Sequence, residues 1–372
     1  MRRSEPSLQE WRELYEAAVE FKELEPWLWM SDSDLFVVIN PETGEMGFCS
    51  VIGALGEEMG MILFPGIEGL RSLLFMRRSQ LDQDEKEMLR MAVQMRNISL
   101  SFEDRSDLSS RDLKLIKELG LKFRGRKQWP MFRSMSPGYD MWFLNAEEAR
   151  FMNHALRQAI DVSRRFKDDP DMLFNPEDES LILARTPREE EGKITWKDEW
   201  IEPPDIAEVG RISYEIAVPV EIMMRLKQLD VAEDMRWEVD SIIPPFTVRD
   251  ETGRPAFPHV FMGVDTTSHL PVIAPGIATG HPFNDIPVKF VEWVIDGFLN
   301  VGMIPGEIHI DNDFLLPPLL TNFTASRNAA KAPSMSPLSE ATRPNVAYAP
   351  GARARRDLSL IHISEPTRLG MI

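Results

Sequence analysis

The sequence predicts an α/β (or α+β) protein built from two diverged copies of one module, each a three-strand meander followed by helix, strand, helix and strand. Three observations point there: a long-range repeat, turn chemistry between the apolar runs of each repeat, and helical apolar spacing after it. The repeat pairs residues 35–69, LFVVINPETGEMGFCSVIGALGEEMGMILFPGIEG, with residues 245–280, PFTVRDETGRPAFPHVFMGVDTTSHLPVIAPGIATG. Phe36 and Val38 align with Phe246 and Val248 at an offset of 210, and Glu42-Thr43-Gly44 with Glu251-Thr252-Gly253 at 209. Gly53 and Pro65-Gly66-Ile67 then meet Gly263 and Pro275-Gly276-Ile277 at 210 again. The two shifts compensate, and both fall near turns, where insertions and deletions are tolerated.

Residues 1–24 carry an amphipathic helix. Ser7 and Glu10 have capping-box spacing, Trp11, Leu14, Tyr15, Ala18 and Phe21 follow on one face, and Pro26 closes the segment. That stripe predicts a helix docked on its own domain. The first module spans 25–124. Its meander turns at 40–44 and 55–58, a helix leads to a strand at 98–102, a capped helix at 110–119 stops at Gly120, and a last strand is expected at 121–123. A connector at 125–207 holds a helix at 145–166, with Phe151, Ala155, Ala159 and Val162 on one face, and a hairpin at 181–201 turning at 189–192. The second module spans 208–321. Its meander begins with a strand at 246–248 and turns at 250–253 and 265–269; Asp285 and Pro287 then start a helix bearing Val288, Val291, Val294, Ile295 and Phe298, followed by a strand at 307–310.

This order of elements resembles the ribonuclease H-like fold, in which a meander is extended by parallel strands reached through right-handed crossovers. The stretch QWPMFRSMSPGYDMWFL (128–144), with PETG (41–44) and PGIEG (65–69), resembles a bacterial family of paired domains of unknown function over most of residues 8–321. That resemblance implies the two-module architecture and a bacterial, cytosolic origin, and it brings no activity with it.

Composition narrows the function classes. Sixty Asp and Glu against 42 Lys and Arg give a net charge of −18, which repels phosphate backbones and anionic membrane surfaces, so neither nucleic acid nor a membrane is the expected partner. Cys49 is the single cysteine and cannot form an internal disulfide; with no signal peptide in the charged residues 1–21 and no apolar run of membrane-spanning length, the chain is expected to be cytoplasmic. From Asn322 the periodic signal stops. Residues 322–357 hold nine Ala, five Arg, four Pro and four Ser, so 322–372 is expected to be disordered, either as an ordinary linker or through a reading frame lost near Thr321. Residues 358–368, LSLIHISEPTR, are codon for codon a translation of the transposon-end adapter of sequencing libraries and are set aside from fold reasoning.

Candidate chemistry concentrates in the second module, which carries His259, His269, His281 and His309 with Asp240, Asp250, Asp265, Asp311 and Asp313. The segment IHIDNDF (308–314) resembles the strand end of retroviral-type integrases and transposases. The resemblance implies an Asp that holds Mg²⁺ or Mn²⁺ for phosphoryl transfer, because hard cations take oxygen ligands. Asp240, Asp250 and Asp311 are the catalytic candidates on that reading, Asp250 and Asp311 the metal ligands. The competing reading makes Asp250 a turn residue and Asp311 a solvated strand end. The first module, with Val37, Val38 and Ile39 on its first strand, offers no such acid. The leading expectation is a non-enzymatic binding or interaction module with a protein or small-molecule partner; the alternative is divalent-metal-dependent phosphoryl transfer in the second module.

Overall fold

Helix α1 (Leu8–Leu24) starts where its capping box is spelled: the Ser7 N–H donates to Glu10 Oε2 at 2.7 Å and the Glu10 N–H donates to Ser7 Oγ at 3.2 Å. The computed structural model describes residues 4–56, 58–78, 93–205, 218–244, 246–250, 252–278, 286–310 and 334–337. Trp11, Leu14, Tyr15, Ala18 and Phe21 are buried on one face of α1, as their spacing predicts.

They pack over a seven-stranded sheet made of β1 (Phe36–Ile39), β2 (Met46–Ile52), β3 (Gly60–Pro65), β4 (Asn97–Glu103), β5 (Trp129–Met135), β6 (Ile182–Glu190) and β7 (Lys193–Ile201), in the order β5-β4-β3-β2-β1-β6-β7. Helices α2 (Gly66–Arg78), α3 (Ser110–Glu118) and α4 (Ala146–Asp168) complete the first domain. Alternation along the strands sends Phe36, Val38, Cys49, Leu63 and Leu100 into one core with α1 and α4, while Val37, Phe48 and Phe64 form a second core with Leu70 and Leu73 of α2. The sheet is therefore covered on both faces.

Three expectations for this half need correction. β4 pairs antiparallel with β3, so the ribonuclease H-like order does not hold here; the parallel neighbour of β1 is β6. The expected connector at 125–207 is thus part of the first sheet, to which it gives β5, β6 and β7. The physical reason is length: a parallel pairing needs a long crossover, and α4 with its 23 residues supplies it. Residues 121–123 form no strand, since Leu121 and Phe123 pack against the core as irregular chain and the strand follows at β5. The hairpin turns where expected, with Glu191 and Gly192 at φ 53 and 73, the left-handed pair that matches the twist of a two-residue turn.

The second sheet contains β8 (Asp230–Ile242), β11 (His259–Asp265), β12 (Pro271–Ala278), β13 (Met303–Ile310) and β14 (Ser334–Pro337), in the order β12-β11-β8-β13-β14. β8, β11 and β12 are antiparallel neighbours, and β13 and β14 add in parallel beside β8. Helix α6 (Ile286–Val301), with α5 (Val220–Gln228) beside it, lays Phe290, Val294 and Phe298 on Trp237, Phe261 and Ile308. The expected first strand at 246–248 is not in this sheet: β9 (Val248–Arg249) pairs with β10 (Pro255–Ala256) in a separate two-stranded ribbon. The aligned Val38 and Val248 therefore have no common place, and the strand after the helix joins β3 in one half but β8 in the other. Within the expected tail, Ser334–Pro337 pairs in parallel with β13. Asp285, His281, Asp311, Asp313 and residues 338–372 lie outside the described residues.

The ribbon joins the halves. Phe257 N–H donates to the Gly138 carbonyl at 3.0 Å, Asp140 N–H donates to the Pro255 carbonyl at 3.1 Å, and the Arg254 guanidinium lies 4.3 Å over the Tyr139 ring. Phe298, fully buried between α6 and Trp237 at a ring separation of 5.3 Å, anchors the second core. Phe298→Ala should destabilise the protein by roughly 3–5 kcal/mol, measured by urea unfolding followed by tryptophan fluorescence.

Candidate functional site

The acids nominated from sequence do not converge among the described residues. Asp240 sits near the end of β8 opposite Met262, on the face away from buried Trp237, Val239 and Ser241, and its Oδ1 accepts the Ser241 N–H at 2.8 Å. Asp250 belongs to the ribbon. Its Oδ1 accepts the Thr252 N–H at 2.8 Å, the Thr252 hydroxyl at 2.7 Å and the Arg254 N–H at 2.9 Å. Slight burial pushes this carboxyl up, but those hydrogen bonds outweigh it and hold the pKa below the usual value. Asp311 lies outside the described residues.

The histidines are equally separate. Buried His259 shares a 3.2 Å hydrogen bond with Ser241 through Nδ1, and burial lowers its pKa to about 4, so the ring is neutral at pH 7. His309 lies 3.5 Å from Glu307, and His269 occupies a left-handed turn position at φ 56. Cys49 is fully buried, and burial pushes its thiol pKa up, away from nucleophilic use. Among the described residues no group of three or more His, Cys, Asp or Glu is placed to hold a metal ion.

A different site emerges in the first domain, where the first turns of α1 and of α3 meet beside Phe132 of β5. Between them lies a cavity of about 280 Å³. Trp11, Tyr15, Phe132 and Phe143 give it aromatic walls, with Tyr15 edge-on to Phe132 at 5.3 Å. Its polar lining comes from Arg111, Asp112, Lys114, Glu5 and Glu118.

One wall is fixed electrostatically. Arg133 donates from Nη1 and Nη2 to the two oxygens of Asp112 at 3.0 and 2.7 Å, and the Ser109 hydroxyl adds a bond of 2.6 Å. Desolvation alone would raise the Asp112 pKa, but the bonds from Arg133 and Ser109 and the charge of Arg133 overcome it and hold the carboxyl below its usual range. Phe143 faces two cations, with the Arg111 guanidinium 4.1 Å and that of Arg133 4.8 Å from its ring centre. Tyr15 is 2% exposed, and its hydroxyl has no hydrogen-bond partner among the described residues. Burial, and then the charge of Asp112, pushes the Tyr15 pKa up, so the phenol stays protonated.

None of these residues was nominated from sequence. They come from three separate segments, and only tertiary pairing brings them together. The available signal was QWPMFRSMSPGYDMWFL, which contains Phe132, Arg133 and Phe143 and in which charged and aromatic residues interleave.

Two family matches cover much of the chain. Residues 11–185 match Domain of unknown function (DUF7309) and residues 222–322 match Domain of unknown function (DUF6930). The first match takes in α1 from Trp11 onward, α3 and the cavity except for its Glu5–Leu8 rim. No curated protein and no solved structure matches.

Asp112→Asn should leave the largely buried Arg133 without its counter-charge and cost about 3–5 kcal/mol at pH 7. Because the folded-state pKa of Asp112 is depressed, its stabilisation is complete above the unfolded value of about 3.9 and is lost as pH falls through the folded value. Chemical denaturation should therefore separate parent from variant at pH 7, with the gap narrowing steadily below pH 4.

Proposed function

We propose that this chain, a pairing of two domains of unknown function, is a cytoplasmic binding protein whose first domain holds a small molecule in the α1–α3 cavity. One observation carries the reading: a cavity lined by four aromatic side chains, among them Tyr15, whose hydroxyl is protonated and has no protein partner among the described residues. A small-molecule site combines apolar walls with polar groups that fix orientation, and here Trp11, Tyr15, Phe132 and Phe143 stand beside the charged Glu5, Arg111, Asp112, Lys114 and Glu118. Among the described residues no helix is long and apolar enough to cross a membrane. The acidic exterior disfavours nucleic acid as partner.

Indole is a suitable first probe, because it fits between aromatic walls and can hydrogen-bond to a phenol. At a hundred times its dissociation constant it should stabilise the parent by about 2.7 kcal/mol. Leu115→Trp, which fills the lined space, should unfold like the parent without indole and gain nothing from it. An equal gain in both proteins, or none in the parent, would refute the cavity as the site.

A second reading, divalent-metal-dependent phosphoryl transfer in the second domain, is favoured by topology alone. What supports it is the order β12-β11-β8-β13-β14, a meander extended from its first strand by two parallel strands, which resembles the ribonuclease H-like order. His309 lies opposite Glu238, two residues before Asp240. The donor set does not fit, because Asp250 is committed to its own turn on the ribbon. Thermal unfolding in millimolar Mn²⁺ and in chelator should therefore give superimposable curves for the parent, Asp240→Asn and Asp311→Ala. A Mn²⁺-dependent rise in the parent that both variants abolish would replace the binding reading with the metal one.

A further inference from the structure

We infer that the ligand of the α1–α3 cavity is a small aromatic acid, its ring laid against the wall that Trp11, Phe132 and Phe143 line, a polar ring atom meeting the Tyr15 hydroxyl, and its anionic group at the mouth against Arg111 and Lys114. The inference rests on the cavity reading above and adds the chemistry of the ligand.

Size comes first. An apolar cavity of roughly 150 Å³ is enough for benzene, so about 280 Å³ has room for a fused two-ring system with a short substituent. Four aromatic walls favour a flat ring over a flexible chain, since stacked and edge-on contacts add to the area they bury.

The charges at the mouth then choose the sign. Arg111 pairs with Glu5 at 3.2 Å and Lys114 with Glu118 at 3.8 Å, and in both pairs the partners are substantially exposed, from 42% to 78%. Exposed pairs of this kind contribute roughly 0–1 kcal/mol, so an incoming anion can take over either cation at little cost. The acids behave differently. Asp112 is closed off by Arg133 and Ser109, and so offers no counter-charge to a cationic ligand. Glu5 and Glu118, the remaining acids of the lining, are on solvated side chains that can turn outward. Arg111 and Lys114 also lie in the first turns of α3, where the helix dipole favours negative charge.

Inside, Tyr15 sets the orientation. Its ring is held by Trp11, Phe123 and Phe132 at 5.3 to 6.2 Å, so the hydroxyl is fixed in place. A ligand that brings no polar atom there leaves the hydroxyl dry, at a cost of about 1–3 kcal/mol.

Titration calorimetry with three probes sharing one ring tests the assignment: indole-3-acetate as anion, indole-3-ethanol as neutral and tryptamine as cation. The parent should bind the anion at least tenfold more tightly than the neutral probe, and tryptamine least. Arg111→Ala combined with Lys114→Ala, both on the surface, should bring the anion's affinity down to that of the neutral probe in the same variant; a tenfold advantage that persists would overturn the assignment of the anionic group. Tyr15→Phe should weaken all three probes by a similar factor, with retained near-ultraviolet circular dichroism as the folding control. If the neutral or cationic probe binds the parent as tightly as the anion, the ligand class is wrong and the cavity reading stands. If none of the three binds, both fail.

Discussion

Three helices of the first domain begin at a carboxylate that serves two partners. Glu10, Asp112 and Glu148 are the third residues of α1, α3 and α4, and each closes a capping box with Ser7, Ser109 or Asn145. Each also takes an arginine from elsewhere in the chain: Arg150 reaches Glu10 at 2.7 Å, Arg133 reaches Asp112 at 2.7 Å and Arg96 reaches Glu148 at 2.9 Å. A capping carboxylate already faces the positive end of its helix. Adding an arginine from another element turns a local stop signal into a tertiary joint, because the group that starts the helix also fixes where that start lies. Arg150 belongs to α4, so α1 is tied to α4; Arg133 belongs to β5, so α3 is tied to the sheet edge. The cavity is the space left where the two fixed helix ends come together beside Phe132.

The sheet explains why the joints can hold. β6 runs parallel to β1, with Val37 opposite Ala184 and Val38 opposite Arg185, and only a long connection can return the chain for such a pairing. That connection is α4, whose buried Phe151, Ala155, Ala159 and Val162 form the floor on which α1 lies. At the far end of α4, Asp198 of β7 accepts Arg165 at 2.6 Å and also Arg185 of β6, so the hairpin and the helix are held together. The long helix is thus fixed at both ends, by Glu148 and by Arg165.

What the sequence makes legible follows from how local each determinant is. Ser7 with Glu10 lies within one turn, and the helix starts there; Glu191-Gly192 is a two-residue signal, and the hairpin turns there. Strand partners are another matter. The pattern of β4 fits either edge of the meander, and β3 wins because β6 occupies the edge of β1. β8 is the central strand of the second sheet, yet only Trp237, Val239 and Ser241 of its last half are buried, alternating with Arg236, Glu238 and Asp240, so its apolar content is too low to stand out. The repeated ETG turn drew attention to Val248 instead, because similar turn chemistry recurs wherever the backbone needs the same bend. The cavity was the least legible of all, being a relation between segments 5–15, 111–118 and 132–143 and a property of none of them.

The acids separate into two uses on the same physical ground. A carboxylate whose lone pairs are filled by neighbouring N–H and O–H groups is a structural part, however well its spacing resembles a ligand set. Asp250 is of this kind: its turn shapes the ribbon that carries Arg254 onto Tyr139, and its hydrogen bonds leave Oδ1 no room for a metal. The residue that looked like a metal ligand in the sequence therefore serves the joint between the two domains. Polar groups left without a partner in a cavity are what a ligand can satisfy, and among the described residues lining this one the Tyr15 hydroxyl has no hydrogen-bond partner.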